Sequence, residues 1–85
     1  MKLKDDFIVY NSGNEQMLIS VGGAFNGMIK LNSSAGDIVE LLKNDIEYQD
    51  IIEAMFNKYD ADRTVIENDV SNVMSQLKQI GALSE

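Results

Sequence analysis

The chain has 85 residues, 45% of them apolar, and it contains no proline, cysteine or histidine. It therefore lacks the thiolate nucleophile, the usual general base and the common ligands of zinc, which disfavours catalysis and metal binding. A chain of this length buries only about 60 to 65% of its unfolded surface, which predicts one domain over residues 1–85 and no deep substrate cavity. We expect no cofactor.

The net charge of −7 belongs entirely to the second half of the chain. Residues 1–32 hold three acids and three bases, whereas residues 33–85 hold eleven acids and four bases. Binding to nucleic acid needs clustered Lys and Arg, so this distribution disfavours it. The acidic half either attracts a basic partner or is a solvated face that keeps a small protein soluble.

No apolar run reaches the length of a membrane span, and no apolar stretch follows the basic residues at the start. Neither a membrane segment nor a signal peptide is therefore predicted. We expect a soluble, cytoplasmic protein that does not bind membranes. We also expect residues 1–6 to fray, as chain termini commonly do.

The first third of the chain predicts an antiparallel hairpin. Phe7–Tyr10 is β-branched and aromatic, residues 11–15 are turn formers, and residues 17–21 resume the strand pattern. This spacing predicts a five-residue loop. The residues of the second strand that share one face are Met17, Ile19 and Val21.

A third strand is predicted at residues 28–31, after glycines at positions 22, 23 and 27. Alternation places Ile29 and Leu31 on one face of this strand and Met28 and Lys30 on the other. Three strands with short connections form an antiparallel meander, so an outer strand has unpaired backbone N–H and C=O groups along its edge.

From residue 33 onward the apolar spacing changes to that of helices. Residues 32–34 place a hydroxyl where it can accept a hydrogen bond from a free backbone N–H at the start of helix one. Asp37, three residues after Ser34, has the spacing of the acid in a capping box. The inward residues of this helix are Ala35, Ile38, Leu41 and Leu42. Helix two has the strongest amphipathic pattern, which comprises Tyr48, Ile51, Ile52, Met55, Phe56 and Tyr59.

Helix three is predicted to begin with a capping box formed by Thr64 and Glu67 and to end at Gly81. Its apolar seam comprises Ile66, Val70, Val73, Leu77 and Ile80, and residues 82–83 fold back over it. Three strands followed by three helices predict an α+β domain of winged-helix type, with a three-stranded antiparallel sheet before a three-helix bundle.

Several short motifs follow one another along the chain, and they are the junction at 27–35, Leu41-Leu42, Tyr59-Asp60, Asp69-Val70, Leu77, Ile80, Gly81 and Leu83. Through these residues the chain resembles, from about Phe7 to Leu83, the PqqD-like proteins, which are named for the pyrroloquinoline-quinone biosynthesis protein D. Their fold is also called the peptide recognition element of ribosomal natural-product pathways.

The resemblance implies a non-catalytic adaptor that binds the leader region of a ribosomally made precursor peptide. Such an adaptor presents the peptide to a modifying enzyme, often a radical SAM enzyme. In that family the peptide lies as an added strand along the third strand, in a cleft closed by the third helix. The resemblance does not decide between a monomer and a weak dimer through the strand edge.

The residues give this proposal a physical basis, because a peptide strand would satisfy the free edge while its side chains enter apolar pockets. The residues expected to bind the peptide are Met28, Ile29, Lys30, Leu31, Ile66, Asp69, Val70, Val73, Met74 and Leu77. Lys30 either pairs with an acidic leader residue or guards the edge against aggregation. Asp69 either receives a basic leader residue or is simply solvated. Methionines suit varied apolar partners but also fill cores, and Met55 fits the core.

The alternative function is a winged-helix transcription or protein-assembly module that contacts DNA or a protein through helix three. A helix that reads DNA needs exposed basic or amide side chains in a basic setting. Helix three instead has Arg63 and Lys78 near opposite ends, with Glu67 and Asp69 between them. The charge pattern therefore favours the peptide adaptor.

Overall fold

A computed structural model describes residues 1–21 and 27–84 of the chain. The predicted connection at residues 22–26 lies outside the described residues. The elements in chain order are β1 (Lys2–Leu3), β2 (Phe7–Ser12), β3 (Glu15–Ser20), β4 (Met28–Leu31), α1 (Ser33–Leu41), α2 (Tyr48–Lys58), α3 (Arg63–Gln79) and β5 (Leu83–Ser84). The predicted fold class, a three-stranded antiparallel sheet followed by three helices, is confirmed.

The strands β2, β3 and β4 form an antiparallel meander with β3 in the centre. The register aligns Val9, Leu18 and Ile29 across the sheet, so these three side chains share the face that packs on the helices. Leu18 is only 1% exposed and lies at the centre of this face. The sheet therefore contributes one side to the core and leaves the other side to solvent.

The hairpin between β2 and β3 is tighter than the predicted five-residue loop. Ser12 pairs with Glu15, which leaves only Gly13 and Asn14 in the turn. Gly13, the first turn residue, has φ of +60°, whereas Asn14, the second, does not have positive φ. This combination is that of a type II′ turn. The prediction was wrong because polar residues can continue a backbone ladder as well as apolar ones do.

The cap of α1 also differs from the prediction. The side chain of Asn32 accepts a hydrogen bond from the backbone N–H of Ala35 at 2.8 Å, and the hydroxyl of Ser34 donates to the same oxygen at 3.1 Å. Asp37 takes no part in the cap. Its carboxylate instead accepts hydrogen bonds from Tyr59 and Lys58 and joins α1 to the end of α2.

At its N-terminus, α3 lacks the predicted capping box. The helix begins at Arg63 with Asp62 in the cap position and without a side-chain capping bond. Glu67 lies 3.7 Å from Arg63, whose guanidinium also pairs with Glu53 on α2. Charge pairing thus takes the place of the predicted cap.

The C-terminus of α3 ends as predicted, at Gly81. This glycine has φ of +74°, and its N–H donates to the carbonyl of Lys78 at 3.1 Å. The N–H of Ala82 donates to the carbonyl of Leu77 at 2.8 Å. These two bonds form a Schellman motif, which reverses the chain and returns residues 82–84 towards the core.

Residues 1–6 were expected to fray, but β1 pairs with β5 in a second, two-stranded antiparallel sheet. The N–H of Leu3 donates to the carbonyl of Leu42 at 2.9 Å, and that of Lys4 donates to the carbonyl of Ala82 at 2.8 Å. Leu3 is 6% exposed. A two-residue strand has too little pattern to be read from sequence, and its partner lies about eighty positions away.

The core is formed by one face of the sheet and the inward faces of the three helices. Most of the predicted helical core residues are buried, whereas Phe56 is 38% exposed and contacts the guanidinium of Arg63. Among residues 1–21 and 27–84, no helix has both the length and the apolar character needed to cross a membrane.

Candidate functional site

An open groove of about 630 Å³ lies between β4 and α3. From β4 it is lined by Ile29, Lys30 and Leu31, and from α3 by Asp69, Asn72, Val73 and Gln76. The remaining lining residues come from the β2–β3 turn, the start of β3, and the N-cap and first turn of α1, and they are Asn14, Glu15, Asn32, Ser34 and Ala35. The groove therefore runs along one edge of the sheet.

The helix α3 presents two neighbouring stripes of side chains. The core stripe consists of Ile66, Val70, Met74 and Leu77, all buried. The groove stripe consists of Asp69, Asn72, Val73 and Gln76, spaced at i, i+3, i+4 and i+7 and therefore aligned along the helix. One helix thus closes the core and forms the outer wall of the groove.

The edge of β4 presents unpaired backbone groups to this groove. The N–H of Ser20 donates to the carbonyl of Gly27 at 3.3 Å, and hydrogen-bonded pairs alternate along an antiparallel ladder. Ile29 and Leu31 consequently bond to β3, whereas the N–H and C=O of Met28 and Lys30 point away from β3. In the described part of the chain β4 pairs with β3 alone, so these four groups are open to another strand.

The structure brings together five of the ten residues predicted to bind a peptide, and it separates the other five. Those that line the groove are Ile29, Lys30, Leu31, Asp69 and Val73. Met28 contributes its backbone to the edge, while its side chain is 63% exposed on the opposite face of the sheet. The remaining four, Ile66, Val70, Met74 and Leu77, form the core stripe and are at most 8% exposed. Two of them, Ile66 and Val70, also line a smaller cavity next to the groove.

A second, smaller cavity of about 120 Å³ adjoins the groove. It shares Ser34 and Asp69 with the groove. Its other lining residues are Met55, Tyr59, Ala61, Val65, Ile66 and Val70. An apolar cavity of roughly 150 Å³ can hold benzene, so this one has room for a single side chain of aliphatic size.

The charged residues of the groove differ in whether they form ion pairs. The ammonium of Lys30 lies 3.3 Å from the carboxylate of Glu15 across the sheet, and both side chains are exposed. Asp69 has no ion-pair partner among residues 1–21 and 27–84. The unpaired charge of the groove is therefore negative and lies on its α3 wall.

Hydrogen bonds to Asp37 hold Tyr59, one of the residues that line the smaller cavity. Partial burial acts to raise the pKa of Asp37, but hydrogen bonds from Tyr59 and Lys58 hold that pKa below its ordinary value. The hydrogen bond to Asp37 raises the pKa of the Tyr59 hydroxyl, and the same carboxylate raises the pKa of Lys58. Tyr59, which lines the cavity, is thereby fixed to α1.

Sequence reasoning missed seven lining residues: Asn14, Glu15, Asn32, Ser34, Ala35, Asn72 and Gln76. Asn72 and Gln76 could have been found, because helical spacing places them on the same side of α3 as Asp69 and Val73. The residues of the turn could not, since their place beside β4 depends on the exact register of the hairpin.

The groups that line the groove suit the binding of an extended chain. The groove offers free backbone groups, amide side chains and apolar side chains, and the chain has no histidine or cysteine. The described residues contain no cluster of acidic side chains able to hold a metal ion. Strand addition uses this set of groups: backbone hydrogen bonds hold the peptide, and alternate side chains enter pockets.

Comparisons with known proteins agree with the fold. The structure is similar to TbiB1 in complex with the TbiA(beta) leader peptide, with a TM-score of 0.78 and 22% identity over 99% of this chain and 100% of that one. It is also similar to lasso peptide synthetase B1 complexed with the leader peptide, with a TM-score of 0.79 and 21% identity over 99% and 96%.

At identities of 22% and 21%, the likeness to TbiB1 and to lasso peptide synthetase B1 establishes the fold alone. A search of curated proteins found no match. The model of the family described as Coenzyme PQQ synthesis protein D (PqqD) matches residues 8–83, nearly the whole chain. The chain therefore belongs to the PqqD family.

Proposed function

We propose that the protein is a non-catalytic adaptor that binds the leader region of a ribosomally made precursor peptide and presents it to a modifying enzyme. The observation that carries this proposal is the free edge of β4 beside the α3 wall of the groove. The two structures described above, which share this fold, are complexes with leader peptides and support the proposal.

The leader peptide would bind as a fourth strand on the edge of β4. Its backbone would pair with the N–H and C=O groups of Met28 and Lys30, which gives affinity without regard to sequence. Alternate peptide side chains would point into the groove, towards Leu31 and Val73. The others would point to the opposite face of the sheet, beside the side chain of Met28.

Specificity would come from three features of the groove. The amides of Asn72 and Gln76 can donate to and accept from polar groups of the peptide. Asp69, which is unpaired among the described residues, favours a basic side chain. The smaller cavity, with Ile66 and Val70 in its wall, would accept one apolar side chain. Met74 and Leu77 would act only indirectly, by fixing the position of α3.

The partner enzyme in this proposal is a radical SAM enzyme, and the protein itself performs no chemistry. The absence of histidine and cysteine supports a binding role. We further propose that it acts in the cytoplasm, where a precursor peptide is made, and that it is monomeric or weakly dimeric through its strand edge.

The test is an NMR titration of the labelled protein with leader segments of small precursor peptides encoded beside its gene. We expect chemical shift changes in residues 28–31 and 69–76. Hydrogen exchange makes the test sharper, because the amides of Met28 and Lys30 should become protected on binding. Those of Ile29 and Leu31, already bonded to β3, should change little.

A scrambled peptide of the same composition serves as the control. Shift changes along β2, the other edge of the sheet, would contradict the proposal. So would a bound peptide that leaves the exchange of Met28 and Lys30 unchanged.

A further inference from the structure

The face of the sheet that points away from the helices is unusually apolar. Four of the six large hydrophobic residues exposed in the described chain lie on or directly beside it: Ile8 (49%), Tyr10 (49%), Val21 (56%) and Met28 (63%). The register aligns Ile8, Ile19 and Met28 in one row across the three strands. Tyr10, Met17 and Lys30 form the next row. We refer to these two rows as the outer face.

The outer face is also electrically neutral in an acidic protein. Its one charged residue is Lys30, which pairs with Glu15 on β3 at 3.3 Å, and the net charge of −7 arises from residues 33–85. An apolar face directly beside the edge that would hold the peptide suits a contact with another protein. The acidic residues lie on the helical side of the sheet, so the net charge would steer a positively charged partner towards the protein rather than pair with it at the outer face.

The size of the outer face limits what can bind it. Three strands about 4.8 Å apart, with two rows about 6.8 Å apart along them, cover roughly 200 Å². A stable complex buries about 800 Å² on each partner. Two copies of the protein held together by this face alone would therefore be unstable, and each copy would also repel the other through its net charge.

A bound peptide would enlarge this face. A strand added to β4 would continue the sheet by about 4.8 Å, and its outward side chains would lie next to those of Met28 and Lys30. If the enzyme also contacts the rest of the same peptide, its effective concentration at the outer face would rise, so that even a weak contact there would form. Peptide and protein would then present one surface.

We propose that the outer face and the outward side chains of the bound leader together form the docking surface for the modifying enzyme. The enzyme is positively charged overall and contributes an apolar patch, and it binds the peptide-loaded adaptor more tightly than the empty one. This inference rests on the proposed function and adds to it the site and the condition of enzyme docking.

The test uses the double variant Ile8→Lys/Tyr10→Ser. Both residues are on β2, two strands away from the edge that would hold the peptide, and both are about half exposed, so the fold and peptide binding should survive. The matched control, Asn57→Lys, adds the same charge at an exposed position on α2. The probes are a fluorescently labelled leader peptide and the purified radical SAM enzyme encoded beside the gene.

Peptide affinity is measured first, by fluorescence anisotropy without enzyme. Enzyme affinity is then measured by biolayer interferometry with and without saturating peptide. We expect the double variant to keep its peptide Kd within about twofold, while the loaded variant binds enzyme at least about tenfold more weakly than the loaded wild type. The Asn57→Lys control should match the wild type in both measurements.

Unchanged enzyme affinity in the double variant would overturn the inference, and so would equal enzyme affinity for the loaded and empty wild type. Sedimentation that shows a wild-type dimer, lost in the double variant, would assign the face to a second copy and overturn it as well. Failure of the wild type to bind the peptide without enzyme would instead overturn the proposed function, on which the inference rests.

Discussion

The two stripes of α3 lie side by side on one helix but differ in exposure and composition. The core stripe is entirely apolar and nearly inaccessible, and it holds the helix against the rest of the core. The groove stripe mixes one acid, two amides and one valine, and it faces open space opposite β4. Val73 and Met74 are neighbours in the sequence, yet Val73 lines the groove and Met74 is buried in the core. The comparison shows that one step along a helix can change a residue's role from ligand binding to maintaining the fold.

The core stripe offers the most severe test of this comparison. Val70→Asp would bury a carboxylate at a position that is 0% exposed, without a partner charge. An unpaired buried charge costs several kcal/mol, while a chain of this length has a total stability of roughly 4 to 13 kcal/mol. We expect the variant to be largely unfolded by circular dichroism. A cooperative unfolding transition near that of the wild type would contradict the assignment.

The same change in the groove stripe should spare the fold. Val73 is half-buried and lines the groove, so Val73→Asp can keep its carboxylate in water until a peptide covers it. We expect a melting temperature within a few degrees of the wild type. Peptide binding should weaken by about thirtyfold, from a desolvation cost on the order of 2 kcal/mol. Titration calorimetry measures the affinity, and Val73→Ala is the control without charge.

Proline substitutions can test separately the N–H groups of β4 that face the groove and those that bond to β3. Met28→Pro removes an N–H that points to the groove, whereas Ile29→Pro removes one that bonds to β3. We expect Met28→Pro to stay folded and to lose about three- to tenfold in peptide affinity, the effect of one hydrogen bond. Ile29→Pro should lose stability. Met28→Ala keeps the N–H, so a loss of affinity equal to that of Met28→Pro would point to the side chain instead.

A smaller effect is expected from the unpaired charge of the groove stripe. Asp69→Asn should weaken binding of a peptide with a basic residue near α3 by up to about fivefold, because exposed ion pairs contribute little. The loss should shrink as salt is added, since screening already weakens the wild-type pair. Glu67→Gln removes the same charge from α3 outside the groove and should leave affinity unchanged at both salt concentrations.

The smallest predicted effect concerns the contact between Asp37 and Tyr59. The folded state lowers the pKa of Asp37 below its ordinary 3.8, so its contribution to stability is present above that pH and is lost as the pH falls through the folded value. The difference in melting temperature between wild type and Asp37→Asn should therefore narrow between pH 6 and pH 3. Tyr59→Phe should shift the pKa of Asp37, measured by NMR, towards its ordinary value.

The fold was predictable where side-chain spacing carries the information. The recurrence of Ile51, Ile52 and Met55 identifies the buried face of α2, and Gly81 ends α3 as its conformational freedom suggests. The groove was only partly predictable. Spacing alone did not separate Val70 from Val73, because both fit an apolar seam. Only the packing of α3 against α1 and α2 tells them apart.

The local contacts that were missed depend on distant partners. Asp37 has the spacing of a capping acid, yet Tyr59 and Lys58 lie within its reach in the folded chain and compete for it. The strand β1 has only two residues, and Leu3 acquires its role only when β5 arrives beside it. Neither fact has a local signature in the sequence.

The pairing of β1 with β5 places the first and last described strands side by side, with Lys2 opposite Ser84. Neighbouring strands are about 5 Å apart, so a short flexible linker could join these ends without strain. New ends could then be opened in the exposed turn at Gly13 and Asn14, although that turn borders the groove. By the same geometry, the whole module could be inserted into a surface loop of another protein, since its entry and exit points nearly coincide.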